Sequence, residues 1–278
     1  MSIFEFQLPS LFMKHLSVSS SSGTSLCSLV FTLWLTLTGT GHAQDLWTGG
    51  YSTAFVSSSR NTVQGATLKS DGTVGNNASK EAANFTDRAE GFGVMLGKRQ
   101  RLESGWLIGG ELDLQRLGHR ARQSNLIESG VYTGQTSAAL DYSTPWMASA
   151  KMVLGSSFDD VLIFGTAGAA LASETIHRTQ YRANLITLQT DPAFSERDKT
   201  YRWGYTIGAG AEWRVKKNLS LRGEYLLTRF PDKTFAFPDA RGGAQDAFSS
   251  VQGRIADNRA RIETLRLGLT YYWGADKQ

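Results

Sequence analysis

The stretch Trp203-Gly-Tyr-Thr-Ile-Gly-Ala-Gly-Ala-Glu-Trp-Arg214 decides the fold. Trp203, Tyr205, Ile207, Ala209, Ala211 and Trp213 share one parity, and Gly204, Thr206, Gly208, Gly210 and Glu212 share the other. That is the two-residue period of a strand, with one face wholly apolar and closed by tryptophan at both ends. Trp203 and Trp213 are ten positions apart. At ~3.3 Å per residue and a tilt near ~40° they stand about 25 Å apart along a membrane normal, the height of the lipid-facing band of a membrane barrel.

Seven further segments read the same way. Trp47, Gly49, Tyr51, Thr53 and Phe55 alternate with Thr48, Gly50, Ser52 and Ala54, while Phe92, Val94 and Leu96 oppose Gly91, Gly93, Met95 and Gly97. Trp106, Ile108, Gly110, Leu112 and Leu114 oppose Gly109, Glu111, Asp113 and Gln115, and Trp146 to Leu154 sets an apolar parity against Ser149 and Lys151. Val161 to Ala172 is so rich in Gly and Ala that its facing is ambiguous. Leu219, Leu221, Tyr225 and Leu227 oppose Ser220, Arg222 and Glu224; Leu265, Leu267, Leu269, Tyr271 and Trp273 oppose Thr264, Arg266, Gly268 and Thr270.

The connections set the architecture. Short turns near Leu102 to Gly105, Ser156 to Asp160 and Lys216 to Asn218 alternate with polar stretches of roughly 20 to 35 residues. Short turns at one end and long loops at the other predict an all-β, eight-stranded antiparallel up-and-down transmembrane barrel, with periplasmic turns and extracellular loops. A soluble barrel of the lipocalin kind keeps its apolar side chains inside and has no use for paired tryptophans at strand ends. The competing soluble reading buries them in a sandwich core. As a membrane barrel, the chain has Trp47, Trp106, Trp146, Trp203, Trp213 and Trp273 as its expected girdle.

Composition agrees. The chain has 278 residues, with 29 glycines against 5 prolines, a pattern of close-packed strands rather than linkers. Its 29 basic and 25 acidic residues leave a net charge of +4, too small for its size to indicate a nucleic-acid binder. Lys14 and His15 precede the apolar run Leu26 to Leu37, and Gly41-His42-Ala43 follows. That is the order of a secretory signal, and the run is shorter than the ~20 residues a spanning helix needs. The expected domains are a signal at 1–43 and a barrel at 44–278. Cys27, the only cysteine, lies within the signal, so the exported chain cannot rely on disulfides.

A closed sheet of eight strands leaves room for side chains and little else. The inward set holds Glu111, Asp113, Glu212 and Glu224 with Lys151, Arg222 and Arg266, and Arg214 can join at the turn end. Charges far from bulk water need partners, which predicts a salt-linked lumen network. Arg222 and Glu224 lie on the strand between those of Glu212 and Arg266, and Glu111 or Asp113 can reach Lys151. The network can act as a static polar plug, the favoured reading, or as a gate in which pairs exchange.

Catalytic, cofactor and metal sites have thin support. After Ala43 the only histidines are His119 and His177. His177-Arg178-Thr179 is a poor imitation of the His/Ser or His/Asp pair of a barrel lipid hydrolase. No metal-ligand spacing occurs, and the Gly-x-Gly pattern of Gly204 to Gly210 is strand alternation. Arg116 to Arg122 (RLGHRAR) places four bases, His119 included, near the outer surface, where they can hold lipopolysaccharide phosphates or form a solvated loop root.

Trp203 to Trp213, Lys217-Asn-Leu-Ser-Leu-Arg-Gly-Glu-Tyr225 and Thr264-Leu-Arg-Leu-Gly-Leu-Thr-Tyr-Tyr-Trp273 resemble the last three strands of the opacity-like outer-membrane barrels of alphaproteobacteria, a porin-family group with an OmpA-like eight-stranded fold. Trp47-Thr-Gly-Gly-Tyr51 resembles that family's first strand. The resemblance covers the exported chain except its loops. It implies an outer-membrane location in a Gram-negative cell and a role in envelope integrity, in contact with a host surface, or in slow solute passage through a narrow lumen. It implies outer-membrane lipids, lipopolysaccharide and the barrel assembly machinery as partners, and no catalytic residue or cofactor. The charged residues Glu111, Lys151, Arg222, Glu224 and Arg266 would take the place of the lumen cluster of OmpA-like barrels. Two departures stand out: Trp273 is followed by Gly-Ala-Asp-Lys-Gln where the family commonly ends on an aromatic residue, and no peptidoglycan-binding segment follows the barrel.

Overall fold

The computed structural model describes residues 47–69, 72, 83–126, 138–183, 190–238 and 254–273. The expected signal, its cleavage point and Cys27 lie outside them. Eight strands follow in order: β1 (Gly49–Lys69), β2 (Phe85–Arg101), β3 (Leu107–Leu126), β4 (Ala138–Phe158), β5 (Val161–Ala183), β6 (Thr190–Lys216), β7 (Leu219–Phe237) and β8 (Arg254–Tyr272). Each pairs antiparallel with the next, and β1 closes on β8 from Tyr51↔Tyr272 to Lys69↔Arg254. A closed sheet leaves no edge whose N–H and C=O groups would sit unpaired in hydrocarbon.

Alternation separates the two sides of the wall. Val56, Phe92, Val94, Leu114, Met152, Ile163, Trp203, Ile207, Leu265 and Leu267 point outward, Trp203 with 66% of its surface exposed. A continuous apolar belt of this kind fits lipid and not water. On the inner side, glycine makes room for rings. A Cβ on Gly97 would stand 2.2 Å from the Tyr51 ring, and one on Gly210 would stand 2.5 Å from the Phe164 ring. The glycines of the deciding stretch are therefore sockets for the core. In β5, Leu162, Phe164 and Thr166 enter the barrel while Val161 and Ile163 face out, which resolves the ambiguous segment.

The expected long loops are shorter than the sequence suggested. β5 and β6 pair as far as Ala183↔Thr190, well past the lipid-facing belt. Above the membrane the alternation continues with polar groups on the outer face, so it no longer stands out as an apolar stripe.

Candidate functional site

The barrel interior is the candidate site. Tyr51, Arg99, Glu111, Asp113, Lys151, Glu212, Arg222, Glu224 and Arg266 all lie buried in it. Glu111 takes two hydrogen bonds from Arg222, at 2.6 and 3.0 Å, and one of 2.5 Å from the Tyr51 hydroxyl. Lys151 Nζ sits among three carboxylates, 3.0 Å from Glu224, 3.3 Å from Asp113 and 3.4 Å from Glu111. Arg266 donates to Asp113 at 3.1 Å and to Gln115 at 2.6 Å. Arg222 also approaches Glu224 at 3.4 Å and Glu212 at 3.9 Å.

The sequence reading missed Arg99. It donates to Glu212 at 2.9 Å and to the Tyr51 and Tyr272 hydroxyls at 3.0 Å each. Glu212 accepts further bonds from Ser220 and, at 2.6 Å, from Tyr272. Continuing the Gly91, Gly93, Met95, Gly97 parity by one more step reaches Arg99, so the signal was present. With it, four bases meet four acids in this layer. The guanidinium groups are also covered: Arg99 lies 4.1 Å from the Tyr51 ring centre, Arg222 4.1 Å from Phe164 and Arg266 4.5 Å from Phe55. Cation–π contact satisfies the faces of groups whose edges are hydrogen-bonded.

The interior is not filled by polar groups alone. Toward the loop end Phe85, Leu117, Tyr142, Phe230, Phe235 and Phe237 form a buried apolar cluster above the ionic layer. Within that upper part, Arg202 pairs with Glu174 at 3.1 Å, and Tyr142 donates to the same carboxylate at 2.5 Å.

Trp47 departs from its expected place in the girdle. It is only 2% exposed and stacks beneath Arg214, whose guanidinium lies 4.1 Å from its ring. Its ring meets Tyr272 edge-on at 6.2 Å. The cause is parity: Trp47 belongs with Tyr51, Thr53 and Phe55, and in β1 that face turns inward while Ser52, Ala54 and Val56 line the outside. Trp106, Trp203, Trp213 and Trp273 are outward and exposed. Trp146 is half-buried on the outer wall, 5.7 Å from the Tyr201 ring.

The Arg116 to Arg122 cluster is split between the two sides of the wall. Arg116, Arg120 and Arg122 are exposed, whereas His119 is fully enclosed. His119 bonds Ser59 through Nε2 and Asp87 through Nδ1, both at 2.8 Å. His177 is on the outer wall, 2.6 Å from Ser195 Oγ and 3.8 Å from Asp141. Asp141 and Ser195 come from the neighbouring strands β4 and β6, far from His177 in sequence, so alternation along β5 alone does not reveal them. Among the described residues, no group of His, Cys, Asp and Glu is arranged to hold a metal ion.

Comparison with known proteins finds relatives in sequence, neighbours among solved structures and a matching family. The chain is 25% identical over 186 residues to the 31 kDa outer-membrane immunogenic proteins of Brucella melitensis biotype 1 and Brucella suis biovar 1, covering 66% of this chain and 67% of each of those. Among solved structures it is similar to OprG of Pseudomonas aeruginosa, with a TM-score of 0.49 and 9% identity over 81% of this chain and 95% of that one. It is also similar to Ail, the attachment invasion locus protein of Yersinia pestis, with a TM-score of 0.35 and 13% identity over 80% and 98% of the two chains. The profile of the outer membrane protein beta-barrel domain matches residues 30–271. With its closed eight-stranded wall, lipid-facing belt and this match across most of its length, the chain belongs to the outer membrane protein β-barrel domain family and resides in the outer membrane.

Proposed function

We propose that this protein is a closed surface barrel with a structural role in the envelope, and that its interior is a fixed plug rather than a channel. The observation that carries the reading is the ionic layer itself. Its four acids and four bases are mutually paired, its guanidinium planes lie against aromatic rings, and an apolar cluster sits above it. A conducting lumen needs a continuous thread of water, and a filled eight-stranded interior provides none. Outer-membrane lipid and lipopolysaccharide surround the wall in this reading. The barrel assembly machinery inserts it, and the polar segments above the belt are free to meet a host surface.

A narrow porin is the second reading, and the clustering of Lys151 among three carboxylates favours it, because such a base can exchange partners. Single-channel recording in a planar bilayer separates the two. The plug predicts no discrete openings. Reproducible openings that vanish in Arg222→Ala or Glu224→Ala would assign a pore instead.

Enzymatic function is not part of this reading. Ser173 lies opposite both Trp146 and Tyr201, and His177 stands four residues beyond it toward the loop end. At ~3.3 Å per residue and a tilt near ~40°, His177 is about 10 Å beyond the aromatic belt. Ester-linked acyl chains at the level of that belt are out of its reach.

A further inference from the structure

Two cross-strand pairs on the outer wall set like charges directly opposite one another. Arg229 on β7 faces Arg261 on β8, and Arg60 on β1 faces Arg88 on β2. All four side chains are exposed on the lipid-facing parity, beyond the apolar positions Leu265, Leu267 and Val56. Like charges at directly opposed positions destabilise a sheet. Arginine repeated this way at the top of a hydrophobic belt has a physical rationale when an anion lies between.

A groove of about 610 Å³ occupies this part of the wall, lined by Arg60, Tyr205, Arg229, Arg259, Arg261 and their neighbours. A register shift between Phe230 and Lys233, at Pro231-Asp232, breaks the β7–β8 ladder here, and bulges of this kind recur beside binding sites. Of the four arginines in the groove, Arg259 is paired with Asp232 at 3.4 Å and Arg261 with Glu263. Arg60 and Arg229 make no ion pair among the described residues, which leaves the groove with an excess of positive charge.

We propose that this groove binds the phosphates of a phosphorylated glycolipid of the outer leaflet. Tyr205 lines it, two residues from Trp203, so it lies at the aromatic belt where headgroups meet hydrocarbon. Tyr225 and Leu265 continue the wall below it as exposed apolar surface for acyl chains. The two arginine pairs span four adjacent strands, about 14 Å of wall, so they can engage a headgroup that carries a phosphate at each end. The guanidinium fork matches phosphate oxygens in pairs, which a lone ammonium does not. The proposal rests on the reading of the chain as a barrel bathed by outer-leaflet lipid. It is independent of whether the lumen conducts.

The test uses the folded full-length barrel in nanodiscs, with labelled bis-phosphorylated lipid A, the same lipid dephosphorylated, and inorganic phosphate as competitor. The wild type binds the phosphorylated lipid, and each of the doubles Arg229→Gln/Arg261→Gln and Arg60→Gln/Arg88→Gln weakens that binding at least about tenfold. The dephosphorylated lipid binds the wild type no better than it binds the variants. Both doubles keep the faster migration of the unboiled barrel on a gel, so a loss of binding is not a loss of the fold. Equal binding of the two lipids, or binding unchanged in both doubles, overturns the proposal. Displacement of the lipid by millimolar inorganic phosphate assigns the groove to free anions and overturns it as well.

Discussion

Glu111 and Arg222 meet across the full width of the barrel, joined by two hydrogen bonds of 2.6 and 3.0 Å. They stand on β3 and β7, four strands apart in a ring of eight, so the pair is a strut between opposite walls. Arg99 on β2 and Glu212 on β6 form a second strut of the same kind at 2.9 Å. Long-range bonds of this sort hold the cross-section at one size.

Breaking one strut leaves a buried charge exposed to the low dielectric of the interior. Arg222→Met is expected to destabilise the folded barrel by about 3–5 kcal/mol, and Glu111→Gln by a comparable amount. The double variant costs less than the sum, since neither charge is then stranded. Urea midpoints of the refolded protein in detergent micelles measure this. Strictly additive losses would mean that the two groups do not act as a pair.

The interior glycines give a contrast within one residue type. Gly97→Ala drives a Cβ into the Tyr51 ring and is expected to cost about 1–3 kcal/mol. Gly165→Ala faces outward and meets only the Gly208 carbonyl oxygen at 3.8 Å, so it is tolerated. Equal effects on the unboiled-to-boiled gel shift would contradict the assignment of the two faces.

Tryptophan emission distinguishes the two sides of the wall. In single-tryptophan variants carried in bilayers of brominated lipid, Trp203 and Trp213 are quenched and Trp47 is protected. Quenching of Trp47 to the same extent would return it to the girdle and remove it from beneath Arg214.

The outer-wall histidine is expected to be catalytically silent. Purified barrel incubated with labelled lipid A releases no acyl chain, and His177→Ala changes nothing. Release abolished by that substitution would make Ser195, His177 and Asp141 a working set.

The strand order and the lipid-facing parity of β6 and β8 were legible because each has one face fully apolar and the other plainly not. The lumen acids were legible for the same reason: a carboxylate alternating with Leu and Ile has nowhere to point but inward. β1 misled because its outer face is small and weakly polar, while its inner face carries Trp47, Tyr51 and Phe55, which shield arginines rather than meet lipid. Alternation reveals two faces but does not say which one is outside when aromatics also line the interior. The apolar cluster of Phe85, Phe230, Phe235 and Phe237 was hidden in segments read as loops, whose exposed side is polar.

The central claim is that the lumen is filled at the level of Glu224. The only cysteine of the sequence, Cys27, precedes the barrel, so a single introduced thiol reports one position cleanly. Thr166 lies inside, 6% exposed, with its hydroxyl 3.2 Å from Glu224. In folded Thr166→Cys with Cys27 absent, a charged water-soluble thiol reagent is expected to react far more slowly than with the urea-unfolded protein. Labelling of the folded barrel as fast as that of the unfolded chain would show an open aqueous path and contradict the account.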